Sequence, residues 1–169
     1  VGVVLLKRLA EAVRDGDPIY GVIRGWGVNQ DGKTNGITAP SVTSQISLET
    51  EVYRRFQIHP RSISLVEAHG TGTKLGDPIE VEALIAVLGQ RRPSGATVAL
   101  GSLKSNIGHL EAAAGIAGLI KAVLALQHEE IPPHLHFTAP SRHIAWDQLP
   151  LRVPTAAEPW RAGAGRRLA

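Results

Sequence analysis

Residues 63–80 read ISLVEAHGTGTKLGDPIE. Ile63 to Glu67 is a short apolar run ending in an acid, which predicts a buried strand. A glycine-rich loop follows, and then a helix start: Asp77 can cap it, Pro78 suits its first position, Glu80 lies three residues after the cap and Gly89 closes it. Strand, loop and helix in this order make one unit of an α/β fold. The loop holds His69 at the strand's end, where ligands bind in such folds.

The same unit recurs downstream. Thr97 to Leu100 predicts a short buried strand, GSLKSNIGH (101–109) a second glycine-containing loop with a histidine, and Leu110 to Leu126 a long apolar helix. That helix includes Glu111 and Lys121 and is shorter than the ~20 apolar residues that cross a bilayer, so it reads as a buried helix. Gly115 and Gly118 lie inside it, each costing about 1 kcal/mol in helix propensity relative to Ala. Close packing at the centre of a layered fold would offset that, and the neighbouring small residues Ala112, Ala113, Ala114 and Ala117 suit it.

Upstream, Val1 to Leu6 predicts a strand and KRLAEAVRDGD a short helix, with Leu9 and Val13 on one face. Ile19 to Trp26 predicts a second strand and Val28 to Pro40 a long loop. Leu48, Val52 and Phe56 recur at helical spacing from about Thr43, and Pro60 stops the pattern. Strands and helices alternate, which sets the class as α/β with a largely parallel sheet.

GVNQDGKT (27–34) satisfies G-x-x-x-x-G-K-[ST], a phosphate-cradling loop. Such a loop must enter a helix whose first N–H groups face the anion. Here NGITAP follows Thr34; Gly36 weakens a helix, Pro40 removes an N–H and Ala39 is pushed from helical geometry. The nucleotide reading fails its context.

Composition narrows the function further. The chain of 169 residues is 43% hydrophobic and 20% charged, ordinary for a globular domain. Its net charge of +3 comes from dispersed Lys and Arg without interleaved aromatics, which argues against a nucleic-acid surface. There is no cysteine, so disulfides, thiolate metal sites and a cysteine nucleophile are excluded from this chain. No initiator Met opens it, and the chain reads as cut from something longer, with RAGAGRR near its end as a linker. His134 and His136 could share a strand face as metal ligands, but no third ligand is apparent.

Two histidines in glycine-rich turns are the candidates for chemistry. Thr71 and Thr73 supply hydroxyls beside His69. His109 precedes a helix, whose positive end disfavours imidazolium and keeps a neutral ring able to donate an N–H. Lys104 lies five residues earlier on the same loop. Together these groups could stabilise negative charge on a carbonyl oxygen. His59, His128 and His143 have no such neighbourhood.

EAHGTGTKLGDPIE and KSNIGHLEAAAG resemble the two histidine motifs of the β-ketoacyl synthases. With NQDGKTNGITAP, GLIKAVLAL, IPPHLHF and LPLRVPT, the chain most resembles the C-terminal portion of ketosynthase domains in modular type I polyketide synthases. The resemblance implies a thiolase-like α-β-α-β-α layered fold, here incomplete. Residues 1–40 would be the end of the first half with the connecting loop, 41–160 most of the second half, and 161–169 a linker or truncated tail.

It further implies decarboxylative Claisen condensation of a malonyl-type extender with an acyl chain held on a Cys outside this chain. By the match of motifs, His69 and His109 are the catalytic pair and Lys104 the lysine that stabilises the site. Thr71 and Thr73 would bind the phosphopantetheine arm of acyl carrier protein. No cofactor or metal would be bound directly. The implied partners are acyl carrier protein, the remainder of the synthase and a second copy in a homodimer, in the cytoplasm, without nucleic acid or membrane. Without Cys the fragment alone is expected to be inactive. A non-elongating ketosynthase-like scaffold and a fatty acid synthase ketosynthase are the alternatives.

Overall fold

A computed structural model describes residues 1–34, 36, 39–89, 95–162 and 165–169. Parts of two expectations, the loop over 28–40 and the linker near the C-terminus, fall outside the described residues.

The sheet is built where the strand-loop-helix units were read. β1 (Leu65–Glu67), β2 (Val98–Gly101) and β4 (Leu151–Arg152) form a parallel sheet in the order β1-β2-β4. Leu65 pairs with Ala99, and Glu67 with Gly101. β2 is therefore central and buried on both faces, which is why it reads as an unbroken apolar run. A second, antiparallel pair joins β3 (Glu130–Ile131) to β5 (Glu158–Pro159).

Alternation along the strands divides the core between two sides. Val98 and Leu100 pack with Ile63, Val81, Leu84 and Leu88, so α3 (Gly76–Leu88) covers one face. Ala99 and Leu65 pack with Ala125, Ile131 and Trp160, so α5 (Ala114–His128) covers the other. α2 (Val42–Arg55) packs outside α3, and Ser41 caps it by accepting the Ser44 N–H at 3.1 Å. Two short helices complete the set: α1 (Leu9–Asp15), closed by Gly16 in the left-handed conformation, and α4 (Lys104–Ile107).

Four expectations about the helices change. α3 starts at Gly76, so Asp77 sits inside the first turn rather than at the cap, and its carboxylate accepts the Gly72 N–H at 3.0 Å instead. Glu80 likewise serves the preceding loop, not the helix end. The long helix begins only at Ala114, after a 3-10 turn over Glu111–Ala113. Of its residues only Ala125 is buried, and most of the others are half-buried between the sheet and the N-terminal segments.

Val1 to Leu6 and Ile19 to Trp26 form no strand. A strand needs a hydrogen-bonded neighbour, and these segments lie against helices instead. A Cβ on Gly2 would stand 3.0 Å from Ile116 in α5, and one on Gly27 would stand 2.6 Å from Val52 in α2. Gln127 at the end of α5 donates to the Tyr20 carbonyl at 2.6 Å. The far sides of both segments are open, with Leu5 96% and Trp26 64% exposed.

Near the C-terminus, Leu168 packs against the first core cluster and its carbonyl accepts the Ser64 N–H at 3.1 Å. Among the described residues no helix is long and apolar enough to cross a membrane.

Candidate active site

The two histidine loops leave the same end of the parallel sheet. Ala68 extends the β1 ladder by donating its N–H to the Gly101 carbonyl at 2.8 Å, and the chain then turns into His69. The turn is held from α3: Glu80 accepts the His69 N–H at 2.7 Å and the Gly70 N–H at 2.8 Å, one on each carboxylate oxygen. Gly70 is required twice over. Its φ is +48°, and a Cβ there would lie 2.8 Å from the Ser102 Cβ.

Beyond it, Thr73 Oγ1 accepts the Gly76 N–H at 2.9 Å and stands 3.5 Å from Thr71 Oγ1. The two hydroxyls are adjacent, and Thr73 also ties its own loop.

Ser102, almost fully buried, links the second loop to the first. Its N–H donates to His134 Nδ1 at 3.2 Å, and its hydroxyl lies 3.4 Å from the His69 carbonyl and from the Lys104 N–H. His134 thus has a structural partner, and it does not share a strand with His136.

His109 follows Gly108, which has φ +71°. The Glu111 N–H donates to His109 Nδ1 at 3.0 Å. A neutral His109 must therefore carry its proton on Nε2 and can donate from there.

The rings of His69 and His109 meet edge to face, with centroids 5.3 Å apart and planes at 83°. Forty positions of sequence separate them, so the fold alone makes them a pair. His69 is held below the usual imidazole range, first by desolvation and then by the nearby charge of Lys104. His69 and Lys104 both line a cavity of about 560 Å³, together with Glu67, Glu49, Leu110 and Gly115. His69 and Thr71 border a smaller recess of about 170 Å³ beside Gln45 and Gly76. Imidazole N–H donors beside a lysine suit stabilisation of charge on a carbonyl oxygen.

Three groups here escaped the sequence reading. Glu80 was legible only as a capping residue, although it holds the His69 turn. Glu67 and Lys121 form an ion pair at 2.6 Å, each about 15% exposed, across 54 residues of chain. Glu49 of α2 faces the same cavity with its Oε2 buried and unpartnered, and its pKa is pushed up to about 7 by burial and by Glu80.

Comparison with known proteins places the chain in a family. The family described as "Beta-ketoacyl synthase, C-terminal domain" matches residues 20–138. Polyketide synthase PksL of Bacillus subtilis is 52% identical over 165 residues, covering 98% of this chain and 4% of that protein. Polyketide synthase GfsE of Streptomyces halstedii is 50% identical over 160 residues, 95% of this chain and 4% of its own length.

Among solved structures, the ketosynthase from module 6 of the bacillaene synthase of Bacillus subtilis superposes with a TM-score of 0.88 at 54% identity. The match covers 92% of this chain and 28% of that one. An oxazolomycin ketosynthase domain from Streptomyces albus gives a TM-score of 0.87 at 37% identity, covering 96% and 28%. The chain thus spans under a third of these ketosynthases and a smaller share of the synthases, and its incomplete α/β layers are those of their thiolase-like fold. It belongs to the β-ketoacyl synthase family, within the C-terminal domain, and its relatives there are ketosynthases of polyketide synthases.

Proposed function

We propose that this chain supplies the extender-activating side of a polyketide ketosynthase, with residues 1–40 the end of the first thiolase-like half and 41–160 most of the second. The observation that carries the reading is the contact of His69 with His109 on a site that also holds Lys104. The extender is a malonyl-type thioester on the phosphopantetheine of acyl carrier protein, and Thr71 and Thr73 bind that arm.

In the reaction, the bond from the carboxylate to the α-carbon breaks and CO₂ leaves. The electron pair moves onto the thioester, forming an enolate oxygen. His69 and His109 donate N–H bonds to that oxygen, and Lys104 adds positive potential. These interactions strengthen as charge develops, so they lower the barrier more than they stabilise the bound extender. The enolate carbon then attacks an acyl thioester held on Cys outside this chain, the Cys thiolate leaves, and the β-ketoacyl product stays on the carrier.

The acyl-enzyme half of the reaction needs that Cys, so this chain alone is inactive. Its partners are acyl carrier protein and the remainder of a homodimeric, cytoplasmic synthase. The test is condensation by a full-length ketosynthase carrying His109→Ala. We expect a loss on the order of 10² to 10³ in kcat, the scale for one oxyanion donor. Undiminished condensation would overturn the reading.

A further inference from the structure

We propose that the Glu67 side chain, its buried charge compensated by Lys121, positions the turn that carries Lys104 through its bond from the Leu103 N–H, and is more than a stabilising contact. The inference rests on the functional reading above. Glu67 ends β1, two residues before His69. Its Oε1 accepts the N–H of Leu103, the residue before Lys104, at 2.5 Å, while its Oε2 is held by Lys121 of α5 at 2.6 Å. One side-chain oxygen therefore fixes the start of one catalytic loop from the root of the other, while Lys121 of α5 neutralises the buried charge.

Space has been cleared for this arrangement at two glycines. A Cβ on Gly118 would stand 3.2 Å from Glu67 Cγ, and one on Gly101 would stand 3.3 Å from Lys121 Nζ. Gly118 sits mid-helix, where glycine weakens the helix. Its cost is explained by the Glu67 side chain it admits.

Stability is a poor explanation for the pair. Buried ion pairs are often replaceable by apolar residues without loss, because desolvation opposes the attraction. Glu67 and Gly118 also line the cavity that Lys104 lines, so the pair lies at the site rather than in a remote part of the core.

The test uses a full-length ketosynthase and follows two half-reactions separately: acylation of its Cys by intact mass, and decarboxylation of malonyl carrier protein. Two double variants remove the charges and differ in one respect. Glu67→Gln with Lys121→Met keeps an oxygen for the Leu103 N–H, and Glu67→Leu with Lys121→Met does not.

We expect the Gln variant to decarboxylate within about threefold of the parent and the Leu variant to fall at least about tenfold, since small misplacement of catalytic groups costs up to about 10²-fold. Acylation should hold in both. Gly118→Ala, which favours the helix but crowds Glu67, should reproduce the selective loss and decides the matter if the Leu variant fails to fold. Equal decarboxylation by the Gln and Leu variants, an intact rate in Gly118→Ala, or equal loss of both half-reactions overturns the inference. His109→Ala runs alongside: if it decarboxylates normally, the functional reading itself fails.

Discussion

At the scale of single residues, His69 owes its lowered pKa first to desolvation and then to the charge of Lys104, with Glu80 opposing. A neutral imidazole is the form that donates without carrying charge, so decarboxylation should fall as pH drops through this pKa, at a pH below the usual 6.5. Lys104→Met removes a cause of the lowering and should move that midpoint upward in a pH–rate profile. Glu49 behaves oppositely. Burial first, then Glu80, raises its pKa from 4.5 to about 7, so the folded state holds a proton that the unfolded chain releases. Its stabilising effect is complete below pH 4.5 and is lost as pH rises through 7. Glu49→Gln should flatten that part of the stability profile in pH-dependent thermal unfolding.

At the scale of elements, β1, α3 and β2 were legible because their patterns are local: an apolar run, a glycine-rich loop, a closing glycine. Leu88, fully buried where α3 meets the sheet, tests that packing. Leu88→Ala should destabilise the fold by about 2–5 kcal/mol in denaturant titration. The two N-terminal segments that read as strands, Val1 to Leu6 and Ile19 to Trp26, were not legible as the unpaired stretches they are, since strand propensity describes residues and pairing belongs to neighbours. The site divides the same way. His69, Lys104 and His109 stand out in sequence because each lies in a loop of unusual composition, whereas the bond from Glu67 to Lys121 exists only once β1 and α5 have packed. Glu80 was visible but misassigned, because its spacing from Asp77 fits a capping box while its actual partners, the N–H groups of His69 and Gly70, lie in the preceding loop.

At the scale of the whole molecule, the apolar face of residues 1–28 and the partly open α5 belong together. Leu5, Val22, Trp26 and Leu124 are exposed along it, and exposed apolar side chains gathered on one face mark an interaction surface. The rest of a ketosynthase, more than two thirds of its length by comparison with the solved structures, would cover this face in our reading, so the chain produced alone should self-associate. The proposed chemistry also depends on that remainder for its Cys, and the histidine pair must therefore be tested in the complete enzyme.

The most direct measurement is decarboxylation of malonyl carrier protein by a full-length ketosynthase in which His69 and His109 are both Ala. The account predicts a loss of at least about 10²-fold with Cys acylation preserved, since only the oxyanion donors are removed. Decarboxylation at the parent rate would contradict it.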